Sequence, residues 1–404
     1  MKLRINHHQQ KNQIPITTFF VMALFFVFIW SACSKSQNPE SNAVVEVIDG
    51  IEYVHNSATP LHPNKKVSFI EDLSIDGMDD DGNIILFQPY LFAVDDAENM
   101  YIIEIRDQVI KIFGPDGKFV KTIGAKGQGP GEFQMISYLA LTKDGKLIVT
   151  DQIANRTSFF DASGRFIRSF KWQKGQYNFL LIKSSSYVFG ERANSGISQF
   201  DFFTVKEIDF DGKEIRSYGE FAMEEPLIVR MESGTHYSSL PDAPHSVFAA
   251  DQDRDLLYHC VGNKYTINIY DPSGKIFRKI DRPCEPVPFT DKDAEEYRAK
   301  HSSNDPFGVI SKAVRDMEMP KVKSIVTRMR IDDEGRLWVK TNETKQEEDK
   351  ILTAFDIFNR DGYYYAKVWT AANPYIFKNG KTYSMVEDPI TGYRIIKRYK
   401  VVWN

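Results

Sequence analysis

The feature that most limits what this chain can become is a repeat of short strands closed by glycine turns. Three such turns end at Gly117, Gly164 and Gly212, spaced 47 and 48 residues apart in a chain of 404. Around the first two the same order recurs. Leu91–Asp95, Met100–Glu104, Val109–Phe113 and Phe119–Ile123 read as four strands, and Tyr138–Thr142, Lys146–Thr150, Thr157–Phe160 and Phe166–Phe170 repeat them. A period of about 45 residues with four short strands per unit is the pattern of propeller blades, each of which needs a like neighbour to cover its faces. The aromatic content, 29 Phe, 19 Tyr and 5 Trp, suits packed pleated sheets better than helix bundles.

Looser copies follow, turning at Asp211-Gly212, Ser273-Gly274 and Asp361-Gly362. A last copy, from Tyr375 to the chain end, supplies three strands only. The reading is therefore an all-β six-bladed β-propeller of four-stranded antiparallel blades over 67–404, with the N-terminal strand Val67–Ile75 completing the sixth blade. Residues 44–66 read as a hairpin about Asp49-Gly50, a strong two-residue turn signal, followed by a linker. Within the long segment Asp281–Ile325, a helical insertion is predicted over about 290–320, starting at Thr290-Asp291 and interrupted by Pro306.

The segment Gly127-Gln-Gly-Pro-Gly-Glu-Phe133, then Val149-Thr-Asp151 and Asn155-Arg-Thr-Ser-Phe-Phe-Asp161, resembles the NHL repeat. More broadly the chain is similar to the NHL-repeat-like six-bladed propeller lipoproteins of Bacteroidetes-type bacteria, a TolB-like propeller class. That resemblance implies the fold; the family's biochemical role is largely unassigned.

Residues 1–32 read as a signal peptide: Lys2, Arg4 and Lys11 precede an apolar run from Ile16 to Trp30, too short for a membrane span of about 20 residues. Trp30-Ser-Ala-Cys33 resembles a lipobox, which makes Cys33 the lipidated first residue of the mature chain and 33–43 a flexible tether. The expected location is the cell envelope, as an outer-membrane or periplasm-facing lipoprotein. Removing residues 1–32 moves the formal charge from −4 to −7, which argues against nucleic acid as a partner because phosphate contacts need clustered Lys and Arg. Cys260 and Cys284 then remain, free to pair in an oxidising compartment.

Topology divides the two faces of the ring. Turns between first and second, and third and fourth, strands share one face and are short; the second-to-third loops and the inter-blade connectors share the other and are long. Long loops on a rigid scaffold are where binding groups usually sit. The expected ligand groups lie just after the second strands: Arg106, Asp151, Arg156, Glu191, Arg192, His259 and Lys340, with Asp151 and Arg156 placed to pair with each other. The glycine connector fits no phosphate cradle, because Pro130 lacks a donor and a strand follows. Asp251, Asp253 and Asp255 have calcium-loop spacing, but Leu256 and Gly262 stand where such a loop needs glycine and glutamate. His259 and Cys260 point to opposite faces of one strand, and no HExxH, CxxC or GxSxG occurs. No catalytic residue, metal or cofactor is expected.

The sequence thus points to a membrane-tethered module recognising a peptide, glycan or partner protein on its long-loop face. A metal-dependent hydrolase or lyase working in the central channel is the alternative, on likeness of fold alone. Replacing Cys33 by Ser is expected to move the protein from membrane to soluble fraction; continued membrane association after fractionation would contradict the lipid anchor.

Overall fold

The computed structural model describes residues 36–37, 42–78, 84–172, 177–192, 202–222, 226–231, 234–243, 245–302, 309–388 and 392–404. Six antiparallel four-stranded sheets are arranged as blades of a propeller. Blade 1 is Pro89–Val94, Met100–Glu104, Val109–Phe113 and Phe119–Ile123. Blade 2 is Ile136–Leu141, Leu147–Asp151, Arg156–Phe160 and Phe166–Lys171. Blade 3 is Tyr177–Ile182, Ser186–Arg192, Phe202–Asp209 and Glu214–Ala222, and blade 4 is Ser246–Asp251, Leu256–Val261, Thr266–Tyr270 and Ile276–Asp281. Blade 5 is Val326–Ile331, Leu337–Glu347, Lys350–Phe358 and Tyr364–Thr370. Blade 6 joins Ile376–Lys378, Lys381–Glu387 and Arg394–Trp403 to Val67–Ile75 as its outer strand, as the sequence predicts.

The runs of uninterrupted apolar residues have a direct cause. Each sheet is covered on both faces by its neighbours, so alternation between polar and apolar residues is lost in the middle strands. Met100–Glu104 and Leu147–Asp151 are buried at every position. Apolar clusters fill all the spaces between adjacent blades: Ile103, Ile112, Phe133 and Val149 between blades 1 and 2, and Tyr258, Ile267, Met329 and Val339 between blades 4 and 5.

A recurrent turn holds the third and fourth strands together. In blade 2, Asp161 accepts from the Arg165 amide at 3.0 Å while Gly164 donates to the Asp161 carbonyl at 2.8 Å. Blades 4 and 5 repeat the side-chain cap at Asp271 and Asn359. Gly164 has φ +81°, and a Cβ there would meet Ile123 of blade 1 at 2.6 Å. Glycine is thus required twice over, by its backbone angle and by the close approach of the preceding blade.

The N-terminal hairpin is not a free appendage. Val44–Ile48 and Ile51–His55 are joined through Asp49 and Gly50, both at positive φ, and the second strand pairs in parallel with Ile276–Asp281 of blade 4. The chain then runs along the rim of blade 5, where the Leu61 and His62 amides donate to the carbonyls of Tyr364 and Tyr365, and reaches blade 6 through reciprocal bonds between Lys66 and Asn404. Residues 44–75 therefore form a belt across three blades. The helices α1, Asp291–Ser302, and α2, Val309–Asp316, fill the predicted insertion. Thr290 and Asp293 cap α1 reciprocally, the Thr290 amide donating to Asp293 at 2.8 Å and the Asp293 amide to Thr290 Oγ1 at 3.3 Å. The leader and Cys33 lie outside the described residues.

Asn56 is the buckle of the belt. Buried between blades 4 and 5, its Nδ2 donates to the Asp281 and Gly362 carbonyls at 3.2 and 3.0 Å, and its Oδ1 accepts from the Tyr364 amide at 2.8 Å. Asn56→Ala strands these groups without water and is expected to cost about 3 kcal/mol, measured as a lowered urea midpoint.

Candidate functional site

The side chains singled out at the ends of second strands divide into those that build loops and those that remain open. Asp151 is fully buried; its carboxylate accepts from the amides of Gln134, Met135 and Ala154 at 2.7, 3.2 and 2.9 Å. Glu104 does the same work one blade earlier, accepting from Phe87 and Gln88. Arg156 is not the ion-pair partner of Asp151. Its guanidinium instead clamps the glycine connector, donating to the carbonyls of Gln128, Gly129 and Glu132. The two residues face each other across the strand pair, but each is bound to backbone groups instead, and Arg156 Nε is left without a hydrogen-bond partner.

Arg106 lies over the Phe87 ring at 3.8 Å and is more than half exposed. Glu191 is held by Lys206 at 2.7 Å. Arg192 ends the second strand of blade 3, and its side chain lies outside the described residues. His259 sits between Phe221 and Phe248, ring centroids 4.6 and 4.7 Å away, and its Nε2 meets Ser246 Oγ at 3.2 Å. Burial holds its pKa down to about 4, so it is a neutral core side chain at pH 7.

Lys340 belongs to a different environment. Its Nζ donates to Asn373 Oδ1 at 3.1 Å, and Arg328, its cross-strand partner, donates to the same oxygen. Burial, then the Arg328 charge, holds Lys340 down to about 8. Arg328 itself is lowered to about 10 by burial and then by Arg330. Among the described residues no carboxylate is a cause of either shift. Asn373 takes a left-handed backbone angle, φ 50°, which Asn tolerates better than most residues, and its carbonyl is fixed by Ser384 Oγ at 3.0 Å.

In front of this group a recess of about 300 Å³ opens on the long-loop face between blades 5, 6 and 1. Arg328, Asn373, Tyr375, Tyr90, Glu387 and Arg394 supply its polar lining, and Leu91, Phe92, Met385 and Val386 its apolar part. Tyr138 approaches from blade 2; burial, then proximity to Tyr90 and Tyr375, pushes its hydroxyl up to about 12. Sequence reading found Lys340 alone of this set. The missed signal is on the innermost strand of blade 5, where Arg328 and Arg330 occupy alternate positions around buried Met329, placing two cations on one side of a strand that borders the channel.

A wider concavity, about 850 Å³, opens on the face of short turns, where the sequence reading expected little. Lys143 pairs with Asp253 and Lys378 with Asp96 across blades, and Arg254 pairs with Asp251 at 2.7 Å within one turn of blade 4. Asp255, the third residue of the calcium-like spacing, accepts from Ser184 at 2.9 Å. Among the described residues no group of three or more His, Cys, Asp or Glu is placed to hold a metal ion. Cys260 and Cys284 are free thiols.

A family model described as a 6-bladed beta-propeller, DUF5128, matches residues 86–241, from the start of blade 1 to the connector before blade 4. No curated protein sequence matches the chain. Among solved structures, a DUF4221-family member from Bacteroides vulgatus superposes with TM-score 0.50 at 10% identity, covering 84% of this chain and 99% of that one. A Bacteroides fragilis protein described as exported gives 0.48 at 11%, covering 87% and 99%, and virginiamycin B lyase from Staphylococcus aureus gives 0.43 at 13%, covering 84% and 100%. At these identities the likeness concerns the fold alone.

The depressed Lys340 makes a signed prediction. The unfolded chain holds that proton up to the ordinary value of 10.5, whereas the folded protein releases it near 8. The stability penalty is therefore full below about 8 and fades as pH rises toward 10.5. Lys340→Met is expected to raise the melting temperature at pH 7 and to lose that advantage near the alkaline end of the window, as read by paired thermal melts.

Proposed function

We propose that this protein is a non-catalytic binding module, held at the cell envelope through lipidated Cys33, that receives a peptide, glycan or partner protein on the long-loop face. One observation carries the reading. Arg328 and Lys340 are clustered and partly desolvated, with no acid among the described residues shifting either, beside an open recess. Such an arrangement is costly to the fold, and costs of this kind collect where a ligand offsets them. On the opposite face the charges satisfy one another, as expected of a surface that only holds blades together. The basic, apolar leader ending at Cys33 supports the envelope location.

The test is photo-crosslinking in native membranes. A photoreactive residue replacing Tyr90, at the recess, is expected to give a saturable adduct, and one replacing Lys143, among the short turns, is expected to give none. Adducts from position 143 alone, or equal labelling from both, would place binding elsewhere.

A further inference from the structure

We propose that the recess takes the carboxylate of an acidic ligand and that Arg328 is the residue that reads it. The inference rests on the preceding reading that ligand reaches the long-loop face, and it adds the chemistry of what is bound. Arg330, two residues along the same strand, is already committed: its Nε donates to the Tyr375 carbonyl at 3.0 Å, its Nη1 to Met329 at 2.8 Å, and its guanidinium lies 4.4 Å from the Tyr375 ring centroid. It acts as a support. Arg328 is different. It donates through Nη2 to Asn373, and its Nε is buried without any hydrogen-bond partner.

The donor count decides what is missing. A guanidinium carries five N–H donors and an ammonium three, all without acceptor capacity. Here one amide oxygen, Asn373 Oδ1, serves both Arg328 and Lys340. An acceptor with two coplanar oxygens fits the Arg328 fork, and a negative charge offsets the mutual repulsion of Arg328, Arg330 and Lys340.

The rest of the lining favours a monoanion on an otherwise uncharged body over a multiply charged phosphate. Leu91, Phe92, Met385 and Val386 give part of the recess to apolar groups, and the Glu387 carboxylate lies within the lining, where it disfavours higher negative charge. Arg394, exposed, stands directly across the strand pair from Glu387. A volume of about 300 Å³ is at the lower end of small-ligand clefts and matches one sugar or amino-acid unit. Tyr90, 40% exposed, offers a ring edge or face beside it.

Calorimetry on the full chain in detergent distinguishes the sources of such a carboxylate. The probes are glucuronate against glucose, acetyl-dialanine acid against its amide, and inorganic phosphate. At least one acid is expected to bind, with its neutral counterpart weaker by about tenfold or more, and the acid that binds identifies the source as sugar or peptide. Arg328→Met is expected to weaken that acid by about tenfold or more without lowering the melting temperature, since it relieves like-charge crowding. Arg328→Lys, which keeps the charge and loses the fork, is expected to behave the same way and serves if the first variant fails to fold. Equal binding of acid and neutral forms, phosphate as the tightest ligand, wild-type affinity in both variants, or no binding of either acid would overturn the proposal. Retained crosslinking from position 90 alongside failure of the acids would remove the carboxylate while leaving the binding face intact.

Discussion

Everything in this fold depends on apolar packing between sheets that cannot stand alone. A blade such as Met100–Glu104 with its neighbours buries both faces, so each apolar residue is satisfied only when the next blade is in place. At roughly 1.5–3 kcal/mol for a fully buried large aliphatic side chain, the interfaces outweigh any single polar contact. The same requirement fixes the glycine turns, because Gly164 must let Ile123 of the adjoining blade approach where a side chain would stand.

Several polar groups at these interfaces are gathered into connected centres. Asp356, with no exposed surface, accepts from Tyr265 and Tyr364 at 2.7 Å each and is paired with Arg282, which lies over both tyrosine rings. Lys183 and Glu207 form a comparable buried centre with Ser186 and Tyr218. Near the closure of the ring, Glu98 of blade 1 gathers Lys381, Tyr383 and Arg398 of blade 6. Against that background the recess stands out by chemistry. The buried cations Lys183, Arg282 and Arg398 have acids and Arg156 has backbone carbonyls; Arg328 and Lys340 share an amide.

Much of the architecture was legible because its causes are local. The Asp–Gly and Ser–Gly turns announce themselves at a steady spacing, and the missing fourth strand of the last blade could be inferred by counting. The attachment of the Val44–His55 hairpin to blade 4 was not legible, since parallel pairing with Ile276–Asp281 joins segments far apart in sequence and nothing in the hairpin specifies its partner. The site was read less well than the fold. Position after a second strand selected Asp151 and Arg156, but those positions also control the connectors, and backbone amides and carbonyls claimed both side chains. His259 looked available until its aromatic neighbours from blade 3 and its own blade were in place. Arg328 was overlooked because its meaning comes from Lys340 and Asn373, and only tertiary structure brings those three together.

The sixth blade gives folding a direction in time. Val67–Ile75 leaves the ribosome before any blade, yet its partner Arg394–Trp403 follows every other blade strand. Arg398 and Asp72, in contact across that pairing, are 326 residues apart. Long-range pairing of this kind forms late, because loop entropy must be overcome before the contact stabilises anything. Until then the first strand is an unpaired edge, and the interface between blades 6 and 1 lacks Ile75 and Ile396. Closure of the ring therefore waits for the sixth blade, and a chain without Arg394–Trp403 would lose that closing step along with one strand.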